Sequence, residues 1–305
     1  MAMTYEKFLL HLTETDDRYL IMTAENRAAI RNITEALGNK FIDTGITEQT
    51  MVGMAAGLAL RGRIPVIHAL ATFLTMRAFE FIRTDIGISG LPVKIVGSVP
   101  GFLSDGNGPT HQAIEDISLM RGIPPMKVFC PADSDDMIKG LPQVLGSFSP
   151  YYIRFNNLPS EYEHDKNFAE GKAEIVSEGQ DVTILTYGFM FRECLEAQQI
   201  LQQIGIKTGL VNLRTLKPID EAYILNLFNS TGLIVSVEDH FITGGLFTIL
   251  SEIALSNRVS PRVVPIALLN HWFKPALLNR VLEYEKMKGF QIAERITTLL
   301  REETT

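Results

Sequence analysis

Apolar positions in the first half of the chain fall into short runs separated by stretches of helical periodicity. Tyr19-Leu20-Ile21-Met22, Pro65-Val66-Ile67-His68-Ala69 and Val93-Lys94-Ile95-Val96-Gly97 are compact runs that predict buried strands, and Phe41-Ile42-Asp43-Thr44-Gly45 is a shorter one ending at a glycine turn. Between them, Tyr5 to Leu12, Thr47 to Leu60 and Phe73 to Ile86 carry helix-spaced apolar residues, with Met51, Met54, Ala55 and Leu58 on one face of the second. Strands alternating with helices imply βαβ units and a parallel sheet.

The pattern changes after Tyr151-Tyr152-Ile153-Arg154-Phe155. Asn156 to Gly171 is polar, with Pro159, Ser160, Glu161, Glu163, Asp165 and Lys166, and reads as an exposed connection. Strand-like runs resume at Asp181 to Gly188, Thr208 to Leu213, Leu233 to Glu238 and Val263 to Ala267, with an amphipathic helix over Arg192 to Gln203. The expected fold class is α/β, with two doubly wound domains: residues 1–160 with a parallel sheet, a linker over 161–172, and a smaller domain over 173–305.

Composition narrows the possibilities without naming a chemistry. The 305 residues carry 28 Lys+Arg against 35 Asp+Glu, a formal net charge of −7 that argues against a nucleic-acid surface. Cys130 and Cys194 are too few for a disulfide framework, so a reducing, cytoplasmic setting is expected. Met1 to Lys7 has no apolar core of a leader peptide, and no apolar run approaches the ~20 residues of a membrane span.

Four stretches carry candidate chemistry. Gly45-Ile46-Thr47-Glu48-Gln49 places a carboxylate in the first turn of a helix, where the helix dipole alone accounts for it. The small residues behind it, Gly53, Ala55, Ala56, Gly57 and Ala59, permit close approach of another element or subunit. Phe73, Met76 and Phe79 share a face by i, i+3, i+6 spacing, which reads either as core or as an apolar cage for a planar ring. Ser104 to Gln112 presents His111 after three turn-forming residues, either as a proton shuttle or as a solvent-facing helix start. Ile123 to Asp133 reads as a strand followed by a helix capped by Asp133, without chemistry.

Taken in order, these stretches resemble the pyrimidine-binding and C-terminal domains of the transketolase family of thiamine-diphosphate enzymes. The matching residues are Gly45 to Gln49, Gly53 to Gly57, Thr72-Phe73-Leu74, Gly108-Pro109-Thr110-His111-Gln112 with Glu115-Asp116, and Pro131-Ala132-Asp133. Asp181 to Gly188, Lys217-Pro218-Ile219-Asp220, and Glu238-Asp239-His240 with Gly244-Gly245-Leu246 continue the series, which covers about residues 15–255. The resemblance implies that Glu48 bonds the pyrimidine N1′ of the cofactor and favours the tautomer that acts as an internal base. It places Glu25, Ile46, Glu48, Phe73, Met76 and Phe79 at the cofactor, and His111, Asn107, Arg154 and Arg27 at the substrate. Glu48 and His111 are its catalytic candidates.

The chain departs from the family pattern at four places. Met76 and Phe79 replace an aromatic residue and a tyrosine, Asn107 replaces an aspartate, and Val99-Pro100 stands where a His-Asp pair is usual. An altered substrate with Glu48 and His111 retained is the expectation. The chain contains no Gly-Asp-Gly…Asn run to hold a diphosphate and its divalent metal; Asp105-Gly106-Asn107-Gly108 has the wrong spacing. With Met1 read as a natural start, the resemblance implies a split enzyme. Mg2+ (or Ca2+ or Mn2+) would be held mainly by a separate N-terminal diphosphate-binding subunit, with thiamine diphosphate at the interface of an α2β2 heterotetramer. No metal ligand, nucleic acid or membrane is assigned to this chain, and its substrates would be small sugars. The β chain of a 2-oxoacid dehydrogenase or decarboxylase, a deoxyxylulose-phosphate-synthase-like enzyme joining pyruvate to an aldehyde, and a non-catalytic paralogue are the alternatives. The Gly-Pro-Thr-His-Gln loop favours a transketolase, and Glu48 argues against a scaffold.

Overall fold

A computed structural model describes residues 3–302; Met1 and Ala2, which begin the stretch lacking a leader pattern, and residues 303–305 lie outside it. The described residues form twelve strands: β1 Tyr19–Thr23, β2 Phe41–Asp43, β3 Ile64–Leu70, β4 Lys94–Ser98, β5 Lys127–Phe129, β6 Tyr151–Arg154, β7 Glu174–Ser177, β8 Val182–Thr186, β9 Thr208–Asn212, β10 Thr215–Lys217, β11 Leu233–Phe241 and β12 Val263–Leu268. Two sheets result, in the orders β10-β5-β6-β4-β3-β1-β2 and β12-β11-β8-β9-β7. Pairing is parallel throughout except at β10 with β5 and at β7 with β9, each at the edge of its sheet. Strands β1, β4, β6 and β8 are buried along their whole length, as sheets covered on both faces require. No helix among the described residues is long and apolar enough to cross a membrane.

The two sheets are stitched together across the expected division of the chain. Strand β10 comes from the second half of the sequence but closes the edge of the first sheet, pairing Thr215 with Phe129 and Lys217 with Val128. One hydrophobic cluster runs through both halves, joining Met51, Ile95 and Ile117 to Leu185, Val211, Ile224 and Leu250. The expected single helix over Phe73 to Ile86 is instead built from π-helical turns over Phe73–Arg77 and Ile82–Gly87 flanking one short α turn.

Two buried ionic networks lock this junction. In the first, Arg154 at the end of β6 is 2% exposed. Its Nε donates to Asp116 Oδ2 at 2.8 Å, while Nη1 and Nη2 donate to Asp239 at 2.7 and 3.2 Å. The Tyr152 hydroxyl also donates to Asp116, at 2.6 Å. Arg154, expected at the substrate, therefore has its guanidinium spent on two carboxylates, one from each half of the chain, and does not reach an open face. Gly101 makes the clamp possible: a Cβ there would lie 1.5 Å from Asp239 Oδ2, at a φ of +56° that side chains avoid.

The second network ties the polar connection down. His164 bonds Glu174 Oε2 through Nδ1 at 2.7 Å and Asp133 Oδ2 through Nε2 at 2.9 Å. Arg214 pairs with Asp136 at 2.7 Å and Glu174 at 2.8 Å, and Asn212 donates to both carboxylates. Asp136, His164 and Glu174 lie close enough together to suggest a metal cluster. Their partners, however, are the protein's own cations and amide, so the group reads as an ionic strut. Asp133 doubles as the N-cap of the helix Ser134–Gly146, accepting from the Asp135 and Asp136 amides, as expected of it.

Replacing Arg154 with Met leaves Asp116 and Asp239 buried without their guanidinium. It should cost about 3–5 kcal/mol in denaturant unfolding, with most of the loss recovered in the R154M/D116N/D239N combination. A second prediction concerns pH. Burial alone would lower the His164 pKa, but its bonds to Asp133 and Glu174 outweigh this and push it up to about 9. A group raised above its ordinary value of 6.5 stabilises fully below that value and loses its contribution as pH rises through about 9. Thermal stability should therefore fall between pH 6.5 and 9, and H164Q should flatten that slope.

Candidate active site

The site lies at the carboxyl ends of β1, β2 and β3, where open parallel sheets place their binding clefts. Asp43, the last residue of β2, organises the approach. Its Oδ1 accepts from the amides of Glu25 (3.2 Å) and Gly45 (3.0 Å), and its Oδ2 receives Arg27 Nη2 at 2.6 Å. Burial would raise the Asp43 pKa, but Arg27 and these amides hold it below the usual carboxylate range. Gly45 turns at φ +71°, and the Thr47 hydroxyl donates back to Thr44 O at 2.8 Å instead of capping the next helix. The chain thereby enters the helix Glu48–Leu60 with Glu48 as its first residue.

Glu48 is 2% exposed. Among the described residues, the only side chain hydrogen-bonded to it is Arg77, whose Nη1 stands 3.3 Å from both carboxylate oxygens. The Arg77 Cζ lies 4.0 Å above the Phe73 ring centroid, a cation–π stack. Phe73 and His111 meet in an edge-to-face arrangement, with centroids 5.3 Å apart at 63°. One continuous line of groups thus runs from Glu48 through Arg77 and Phe73 to His111.

His111 is carried by the loop that follows β4. Residues Gly101–Asn107 form a 3-10 turn, after which Gly108, at φ +72°, packs so tightly on Pro275 that a Cβ would approach Pro275 Cγ to 2.6 Å. Gly101 N–H donates to Ala113 O, and Phe241 N–H to Ile114 O, so the junction clamped by Arg154 also holds this loop. His111 Nδ1 is bonded to Thr110 Oγ1 at 2.9 Å, which leaves Nε2 for a ligand. Two non-glycine residues with left-handed backbone follow strands that carry the site, Glu25 (φ +67°) after β1 and Val99 (φ +49°) after β4. A β-branched residue in that region is strained, by roughly 1–3 kcal/mol, and such strain gathers at binding sites.

The remaining expected residues are placed less uniformly. Glu25 and Ile46 are exposed, Ile46 at 66%. Met76 is also exposed, with the Thr72 hydroxyl on its sulfur at 3.6 Å, whereas Phe79 is half-buried against the hydrophobic core. The i, i+3, i+6 spacing of Phe73, Met76 and Phe79 presumes 3.6 residues per turn, which this segment does not keep. Here the Ala78 amide bonds Phe73 O, an i→i+5 π turn that brings Arg77 rather than Met76 over Phe73. Arg77 was missed for this reason; the signal available was a cation four residues after the aromatic of Thr72-Phe73-Leu74. Arg27 stays half-exposed beside Asp43. Asn107 spends its amide on Ser104 O and Oγ, at 2.9 and 3.2 Å, as a brace of its own loop. Glu238, from the Glu238-Asp239-His240 stretch, accepts from the Leu246 and Phe247 amides at the start of the helix Leu246–Ser256. Burial pushes its pKa up to about 8 against those bonds.

Residues 1–158 match the family model described as "Transketolase, pyrimidine binding domain", and residues 171–286 match "Transketolase, C-terminal domain". The chain belongs to the transketolase family. It is 38% identical to the 6-deoxy-6-sulfo-D-fructose transketolase subunit of Clostridium sp. (strain MSTE9), over 82% of this chain and 79% of that one. It is 33% identical to the 1-deoxy-D-xylulose-5-phosphate synthase of Dictyoglomus thermophilum, over 98% of this chain but 49% of the synthase. Among solved structures, a split-gene transketolase described as an inactive β4 tetramer superposes with a TM-score of 0.88 at 32% identity, covering 97% of both chains. The transketolase of Campylobacter jejuni, at 19% identity and a TM-score of 0.81 over 45% of its length, shares the fold. A transketolase-family chain of this kind thus carries the pyrimidine-binding and C-terminal domains, and the family implies thiamine diphosphate.

The donors and acceptors fit an aminopyrimidine: a desolvated carboxylate with one loose partner, beside an aromatic face. A carboxylate so placed is desolvated at some expense to the fold. Glu48→Gln should raise the stability of the chain without cofactor by about 1 kcal/mol in denaturant melts. A loss of that size would instead make the Glu48–Arg77 pair a structural one.

Proposed function

We propose that this chain is the C-terminal subunit of a two-component, thiamine-diphosphate-dependent transketolase. In this reading it moves a two-carbon ketol unit from an anionic ketose to an aldose. The observation that carries the reading is the burial of Glu48 at the start of its helix, with an aromatic ring and a histidine in line beyond it. When bound, thiamine diphosphate supplies an acidic ring carbon and an electron sink for breaking and making carbon–carbon bonds.

The residues of this chain supply the rest. Glu48 holds a proton at the pyrimidine N1′, where burial keeps water from competing for it. Phe73 offers a ring face to the pyrimidine, and the Gly45–Ile46 turn borders it. His111, steadied by Thr110, orients the substrate hydroxyls and moves a proton to or from the one at the reacting carbons through Nε2. Of the cations expected at the substrate, Arg27 is half-exposed and, although paired with Asp43, is the one that could turn to an anionic end, whereas Arg154 is buried at the domain junction.

The likeness to a subunit named for a sulfonated ketose supports an anionic donor. A full-length match to a split-gene transketolase supports a separate diphosphate-binding chain. That Mg2+ rests mainly on that chain, in an α2β2 assembly, is part of the same proposal. Two free, buried cysteines suit a reducing cytoplasmic setting. The likeness to a synthase that the chain covers by half keeps condensation of pyruvate with an aldehyde as the competing reading.

One assay separates them. The chain assembled with a diphosphate-binding subunit should transfer a ketol unit from an anionic ketose to an aldose and release no carbon dioxide from pyruvate. E48Q should lower turnover by roughly 10²–10⁴-fold, with the assembly intact by size-exclusion chromatography. Pyruvate decarboxylation without ketol transfer would overturn the transketolase reading, and full activity of the lone chain would overturn the two-component one.

A further inference from the structure

The guanidinium of Arg77 lies where the proposed cofactor would place its pyrimidine. It is planar, stacks 4.0 Å over Phe73, and directs a donor at both oxygens of Glu48. An aminopyrimidine on Phe73 would present the same two features, a flat face and a ring nitrogen facing the carboxylate. Both cannot hold that position at once.

We propose that Arg77 is a displaceable stand-in for the pyrimidine. It neutralises Glu48 while the site waits for its cofactor and swings out to solvent when the cofactor enters. The proposal rests on the thiamine-diphosphate reading above. Three observations support displacement rather than a permanent pair.

The contact is loose. Its two 3.3 Å distances exceed the 2.7–2.9 Å of tight charge-assisted bonds, which Arg154 of the same chain makes at 2.7 and 2.8 Å. The partners are also unequal, the Arg77 side chain being 45% exposed and that of Glu48 3%. The arginine can leave into water, whereas the carboxylate cannot. Finally, the Arg77 backbone is pinned, its carbonyl receiving Gln49 Nε2 at 3.3 Å and its turn closed by the Ala78–Phe73 bond. Side-chain rotation alone completes the exchange. A buried carboxylate stripped of every partner is costly, so the chain gains from keeping Arg77 in place until a ring nitrogen takes over.

The exchange lowers the population of the competent site, and such a penalty falls on the association rate. Stopped-flow mixing of thiamine diphosphate and Mg2+ with the assembled protein tests it. Removing the stand-in in R77A should speed association by about tenfold and leave dissociation unchanged. Guanidinium chloride at non-denaturing concentration should slow association in R77A by refilling the vacated place, and leave the wild type unaffected. If R77A does not fold by thermal melt, R77Q should show the same acceleration with a smaller span. Unchanged or slower association, or a faster dissociation in the variants, would overturn the proposal and make Arg77 a permanent ligand. Failure of the wild-type assembly to bind thiamine diphosphate at all would overturn the cofactor reading itself and this proposal with it.

Discussion

The structure turns on one buried carboxylate. Glu48 sits at the start of a helix, where the dipole favours its charge, yet it is desolvated and paired only at 3.3 Å with an arginine that is half in water. At the domain junction, by contrast, buried charges are compensated closely: Arg154 by two aspartates, His164 and Arg214 by three acidic groups. The contrast is between tightly paired charges at the domain junction and one loosely paired carboxylate at Glu48.

The domain junction serves the same end. Strand β10 crosses from the second half of the chain into the first sheet, and Arg154 joins Asp116 to Asp239 at the point where the His111 loop leaves β4. Gly101 and Gly108 let that loop press against Asp239 and Pro275 without a clash. The position of His111 relative to Phe73 is thus set by contacts from both halves, and a change that loosens the junction reaches the site without touching it.

Much of this was legible in the sequence, and the exceptions are instructive. The short apolar runs and helical stretches predicted both parallel sheets, because a fully buried strand leaves a continuous apolar signature. Strand β10 left none: Thr215–Lys217 is three residues long, and its partner Phe129 lies 86 positions away. Glu48, Phe73 and His111 were read from motif and order, and the structure brings them into line. Arg154 was misplaced because a residue at the end of a strand near a cleft reads alike whether it faces substrate or a pair of distant aspartates. Arg77 was hidden by the backbone itself, since a π turn shifts which side chain overlies Phe73 and helical-wheel spacing assumes the wrong pitch.

The most direct test of the central claim is a crystal structure of this chain assembled with a diphosphate-binding subunit, thiamine diphosphate and Mg2+. The account predicts the pyrimidine ring on Phe73, with N1′ within hydrogen-bonding distance of the Glu48 carboxylate and the Arg77 side chain turned away from it. A cofactor bound elsewhere, or bound with Glu48 still held by Arg77, would contradict it.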